Sequence, residues 1–176
     1  MILPKERDPR LITIRRGGTL TDSDHRLIAL WAAACAEHVL PFFEAECPSD
    51  GRPGYAIEAI RAWARGEVTV MEARAAGGQA MGPARELKGA ARHAAYAAGQ
   101  AACVGHVAEH DLGAAAYAIK AARAADLGDE ELAGRIECEW QRGQLPNAIR
   151  ELVIEDQRRR NDICWSVFGC EGPVGS

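Results

Sequence analysis

An all-α bundle of six to seven helices is the fold class that this sequence predicts, on three observations. The chain holds 34 alanines, 26 of them between Ala56 and Ala125, where β-branched residues are scarce. Alanine has the highest helix propensity, so the middle of the chain reads as helix. Apolar residues recur at helical spacing, and cap and stop residues punctuate them at helix-length intervals. Helices facing one another through alanine approach closely, and the expected aromatic anchors are Trp31, Tyr55, Trp63, Tyr96, Tyr117 and Trp140.

Residues 1–20 read as an arm with a short extended piece at Leu11, Ile12, Thr13 and Ile14, closed by Arg15-Arg16-Gly17-Gly18. Thr21 followed by Asp24 is a capping-box-like start. Leu27, Leu30, Trp31, Ala34 and His38 then predict a first helix from about Asp22 to Val39, with Pro41 as a kink or the start of a short extension. Cys47-Pro48-Ser49-Asp50-Gly51 is a loop. A second helix covers about Pro53 to Arg65, stopped by Gly66. Val70 to Leu87 reads as a third, open to splitting at Gly77-Gly78 and Gly82-Pro83. A fourth spans about Lys88 to Val107 and a fifth about His110 to Ala125. Asp129-Glu130-Glu131 begins a sixth with carboxylates at the positive end of the helix dipole, and Pro146 opens a seventh. No sheet is expected. The resulting division is an arm (1–20), one helical domain (21–157) and a tail (158–176).

One string echoes another. Tyr55-Ala-Ile-Glu-Ala-Ile-Arg-Ala recurs as Tyr117-Ala-Ile-Lys-Ala-Ala-Arg-Ala, and Trp31 stands upstream of the first as Tyr96 does of the second, at spacings of 62 and 65 residues. Two related helical hairpins stacked in one bundle would produce this pattern.

With 176 residues, 21 Lys+Arg against 25 Asp+Glu and a net charge of −4, the chain lacks the basic footprint that phosphate-backbone binding needs. Nucleic acid is therefore not an expected partner. The longest uncharged central stretch, His93 to Ala108, is mostly Ala, Gly, Gln and His, so no membrane span is expected. The N-terminus carries charges where a signal peptide places its apolar core, and the expected compartment is the cytoplasm. Of the six cysteines (Cys35, Cys47, Cys103, Cys138, Cys164 and Cys170) none forms a CxxC pair, and free thiols are expected there. A Cys164–Cys170 disulfide is sterically conceivable in the tail.

The catalytic-looking string is His106-Val107-Ala108-Glu109-His110, which matches the H-x-x-E-H of inverted zinc peptidases, where two histidines ligate zinc and the glutamate acts as base. It supplies only two ligands, and it falls at a helix junction, so polar residues in an interhelical turn are the plainer reading. His38 lies on the apolar stripe of the first helix and reads as a satisfied buried histidine. Ser23, Ser49, Ser166 and Ser176 fall in loops or caps and assemble no triad. There is no P-loop, no G-x-G-x-x-G and no G-x-S-x-G. No cofactor and no metal site are expected. Arg158-Arg159-Arg160 reads as a solvated helix end. The apolar tail Ile163-Cys164-Trp165-Ser166-Val167-Phe168, followed by Gly169, Gly172, Pro173 and Gly175, is expected to dock on its own domain or on a neighbour.

The string Arg15-Arg16-Gly17-Gly18-Thr19-Leu20-Thr21-Asp22-Ser23-Asp24-His25-Arg26-Leu27, with Trp31 and Cys35-Ala36-Glu37-His38, resembles the opening of the immunity-five-like immunity proteins of bacterial polymorphic toxin systems, of the actinobacterial type. Further matches are Arg61-Ala62-Trp63, Gly66-Glu67-Val68, Glu72-Ala73-Arg74, His106 and His110 leading into Gly113 to Ala121, and Glu139-Trp140-Gln141. The likeness runs from about Asp8 to Val153. Gly77-Gly78-Gln79-Ala80-Met81-Gly82 departs from the Ala-rich helix expected there. The resemblance implies a protein that neutralises a cognate protein toxin by stoichiometric binding and is not an enzyme. An acidic sixth helix, with Glu130, Glu131, Glu137 and Glu139, would then be the partner-binding face, steering a basic toxin. Alternatives are a small zinc hydrolase using His106, Glu109 and His110, or a helical scaffold that forms homo-oligomers.

Overall fold

The computed structural model describes residues 3–170. Among them are seven helices: α1 (Asp22–Glu46), α2 (Arg52–Arg65), α3 (Val70–Met81), α4 (Gly89–Cys103), α5 (Asp111–Ala125), α6 (Glu130–Gly143) and α7 (Asn147–Arg160). The predicted extended piece at Leu11–Ile14 shrinks to one isolated bridge, Thr13 to Leu20, between two 3-10 turns. Pro9 starts the first of these turns with Asp8 as its cap, so the arm is mostly turn rather than strand.

Helix starts follow their caps. Thr21 accepts from the Asp24 amide, and Asp129 from the Leu132 amide. Thr69 and Glu72 form a complete capping box on α3. Gly66 ends α2 at φ 79° and closes onto the carbonyls of Ala62 and Trp63. α1 runs straight through Pro41 to Glu46, because Val39 and Phe43 on either side of the proline are both buried.

α4 sits at the centre, packed against α1, α2, α3 and α5, and α6 covers α5. The core is alanine-rich: Ala94, Ala95, Ala97, Ala98 and Ala101 on α4 and Ala114, Ala115, Ala116 and Ala118 on α5 have no exposed surface. Each methyl contributes roughly 1 kcal/mol on burial, so the interior is the sum of many small terms. Gly77-Gly78 does not split α3. A Cβ on Gly77 would lie 2.7 Å from the Gly99 carbonyl oxygen, so the bare backbone there lets α3 and α4 touch.

Among the expected anchors Trp31 is buried, and Trp63, Tyr96, Tyr117 and Trp140 are half-buried, but Tyr55 is 66% exposed. Tyr55 and Tyr117 thus occupy unrelated environments. α1–α2 and α4–α5 are both packed helix pairs, yet the echo does not extend to the surroundings of these two residues.

α7 reaches Arg160, and the tail folds back on its own domain with Cys164, Val167, Phe168 and Cys170 buried. Gly172, Pro173, Gly175 and Ser176 lie outside the described residues. The free-thiol expectation fails at two positions: Cys138 on α6 and Cys170 form a disulfide, with Cα atoms 6.0 Å apart. Cys164, the partner sequence proximity suggested for Cys170, stays a buried thiol. The hook between them turns the chain so that Cys170, not Cys164, meets α6. Arg160 also departs from its expected solvated end. It is buried, donating to Asp156 at 2.5 and 2.8 Å, to Asp111 at 3.0 Å and to the Glu109 carbonyl at 2.9 Å. By length and composition one helix, α1, is apolar enough to cross a membrane, and half of that window is buried in the core.

Candidate functional site

The H-x-x-E-H residues do not converge. His106 lies in the turn after α4, and Ala108–His110 is a 3-10 turn rather than part of a continuous helix. The buried Glu109 carboxylate takes a bidentate pair from Arg7, at 2.5 and 2.7 Å. His110 Nδ1 lies 2.7 Å from the Gln100 amide oxygen, which accepts from it, and burial with the neighbouring His106 lowers its pKa to about 4. His106 borders a cavity of about 410 Å³ beside Arg15 and Arg16, a cationic neighbourhood that repels a divalent metal. Among the described residues no group of three His, Cys, Asp or Glu is placed to hold a metal ion.

The side chains that do converge join α1 to α6. His38 is not the buried residue its position suggested; its side chain is 43% exposed. Its ring stacks on Trp140 with centroids 3.7 Å apart and planes 10° from parallel. Nδ1 of His38 lies 2.7 Å from Oε2 of Glu137. The other Glu137 oxygen accepts from Gln141 Nε2 at 2.9 Å, and that amide also donates to the Ala115 carbonyl. Trp31 Nε1 completes the set by donating to the Gln141 carbonyl at 2.8 Å. This network holds the His38 ring, on which Trp140 stacks, as a preorganised surface requires.

Beside it lies an apolar groove of about 620 Å³, bordered by Phe42, Ala122, Leu127, Ala133 and Ile136. Leu127 is 91% exposed and Ile136 58%, with Leu132 and Phe42 also exposed. Large apolar side chains left in water next to an aromatic pair are the kind of surface that docking faces use.

The four acidic residues of the sixth helix separate. Glu130, Glu131 and Glu139 are exposed on α6, and Glu131 lies 3.3 Å from Arg123. Glu137 is 4% exposed and holds His38, so it orients the face rather than presenting charge. Sequence reasoning missed Phe42, Leu127 and Ile136, and gave His38 a buried structural place instead. The available signal was the run of apolar residues, Leu132 and Ile136, on a helix otherwise rich in charge.

A family model described as Imm-5 like putative immunity protein matches residues 18–148, about three-quarters of the chain. No curated protein and no solved structure matches it. The matched span takes in α1 through α6 and so contains the α1–α6 face; most of α7 and the docked tail fall beyond it.

Proposed function

The chain belongs to the family of Imm-5 like putative immunity proteins, and from that premise we propose that it neutralises a cognate protein toxin by stoichiometric binding, without catalysis of its own. The observation that carries the reading is the α1–α6 face: an apolar groove open to water, backed by the locked His38–Trp140 pair. A binding inhibitor needs a preorganised surface with apolar anchors and a charged rim, because ordering flexible side chains at the interface subtracts from affinity. Phe42, Leu127 and Ile136 serve as anchors, and Glu130, Glu131 and Glu139 form the rim that steers a basic toxin.

The compartment we propose is the cytoplasm. Glutathione keeps most thiols reduced there, and burial of Cys138 and Cys170 shields their disulfide from it. Cell fractionation tests the compartment: the chain should be recovered in the cytoplasmic fraction, and its recovery outside that fraction would overturn it.

Co-expression with the toxin domain encoded beside the gene tests the main reading. Growth should be rescued, and the two proteins should co-purify at fixed stoichiometry. A folded, abundant chain that rescues nothing, with no toxin gene beside its own, would overturn it.

A further inference from the structure

Lys88 and Arg92 near the start of α4, with Lys120 on α5, border a cavity of about 420 Å³ whose other walls include His93, Tyr96 and Tyr117, and no carboxylate lines it. That is unusual for a chain with more acids than bases. Several other cations are paired with carboxylates: Arg7 with Glu109, Arg61 with Glu37, Arg65 with Glu58 and Glu67. Arg92 and Lys120 meet rings instead. The Arg92 guanidinium lies 5.6 Å from the Tyr96 centroid, and Lys120 Nζ lies 3.9 Å from the Trp165 centroid and 5.9 Å from that of Tyr117.

The rings run on from one another, with Trp165 across Lys120 in an adjoining cavity that Glu130 also borders. Tyr117 stands 5.0 Å from Tyr96 and 5.0 Å from Trp165, and 6.0 Å from His93. Trp165 is delivered by the tail: it and Ser166 adopt left-handed backbone, at φ 58° and 55°, and its indole stays 43% exposed. Such backbone is costly outside glycine, and here Ser166 N–H donates to the Asn161 carbonyl at 2.7 Å to hold it.

The cations strain one another. Burial and the charge of Arg92 pull Lys120 below its ordinary pKa; burial and both cations pull His93 down to about 4. Nδ1 of His93 is buried with no hydrogen-bond partner. A bound anion would relieve the repulsion and could give that nitrogen a partner. Three cations without a carboxylate suit a dianion better than a single carboxylate, and a phosphate monoester carries close to two charges at neutral pH.

We infer that this groove binds a phosphate monoester carried on a flat ring, the chemistry of a nucleoside monophosphate, with the phosphate among Lys88, Arg92 and Lys120 and the ring against Tyr117 and Trp165. A polynucleotide is disfavoured by the acidic remainder of the surface. The groove shares no residue with the α1–α6 groove, so the two proposals stand or fall separately.

The test is calorimetric titration of the full chain with adenosine monophosphate, adenosine and inorganic phosphate, followed in parallel by tryptophan fluorescence. The monophosphate should saturate at one per chain, with the other two at least about tenfold weaker. Lys120→Gln and Arg92→Gln should each weaken it about tenfold or more, and Trp165→Leu should weaken it and remove the fluorescence change, with melting curves confirming that the variants fold. Lys88→Ala, on an exposed residue, provides a variant with little structural risk and should also weaken binding. The proposal is overturned by any of three results: no saturable binding, binding indifferent to these substitutions, or an acidic peptide that binds through these residues where the monophosphate does not. Inorganic phosphate binding as tightly as the monophosphate would overturn the role given to the rings.

Discussion

Between α4 and its neighbours the helices meet through methyl groups and bare glycine backbone; between α7 with its tail and the rest of the molecule they meet through a buried guanidinium, two carboxylates and a disulfide. Both contacts are buried, but they fail differently. A methyl-packed interface loses stability in small steps, whereas a buried ion cluster fails when one partner is removed, since the charges left behind stay desolvated. Removing pieces from each region measures that contrast.

The largest effect is expected from Arg160→Leu, which strands Asp111 in the interior and leaves Asp156 with Arg159 alone. It should cost about 3–5 kcal/mol, read as a lower urea midpoint and a melting point down by about 10 °C or more. A near-neutral result would show that the cluster is dispensable and erase the contrast.

Opening the disulfide comes next. It closes a loop with a sequence separation of 32, for which chain entropy gives about 3–4 kcal/mol. Cys170→Ser should lower the stability of the oxidised protein by about that amount and cancel the effect of added reductant. Continued sensitivity of this variant to reductant would mean that another bond is responsible.

His110 lies where the two regions join, and its effect depends on pH. Its folded pKa, about 4, is below the ordinary 6.5, so between those values the unfolded chain binds more protons than the native one. Stability is complete above pH 6.5 and is lost as pH falls toward 4. Between pH 6.5 and 5 this amounts to about 2 kcal/mol, which His110→Gln should remove. Burial raises the pKa of Asp111, which has the opposite sign in the same range; the difference between wild type and variant isolates the histidine. Parallel pH profiles for the two proteins would contradict the assignment.

The smallest effects test the methyl-packed region. Gly77→Ala drives a Cβ to 2.7 Å from the Gly99 carbonyl and should cost about 1–2 kcal/mol net of its helix-propensity gain. Gly78→Ala meets nothing within 4 Å and should stabilise by about 0.5–1 kcal/mol. Equal effects at the two positions would mean that α3 and α4 are not in close contact.

This contrast also separates what could be read in the sequence from what could not. Alanine content, caps and stops are local, and they placed α2, α5 and the start of α6 to within a residue or two. The start of α3 was legible too, since Thr69 and Glu72 stand at capping-box spacing. Polar partners lie far apart along the chain: Arg160 with Asp111, His38 with Glu137, Cys138 with Cys170. Nothing local in the Arg158-Arg159-Arg160 run says that only the last turns inward. The candidate face was half legible. The acidic helix stood out by charge, but its burial of Glu137 and exposure of Ile136 depend on how α6 rotates against α1 and α5.

The account rests on the α1–α6 face, and the most direct test is the affinity of the purified chain for its neighbouring toxin domain after Phe42→Asp and Ile136→Asp. Ile136 is 58% exposed and Phe42 37% in the free protein, so melting curves should show both variants folded, with the larger drop in Phe42→Asp. The account predicts binding weakened by about a hundredfold or more together with loss of growth rescue. Folded variants that bind and protect like the wild type would place the toxin elsewhere and contradict it.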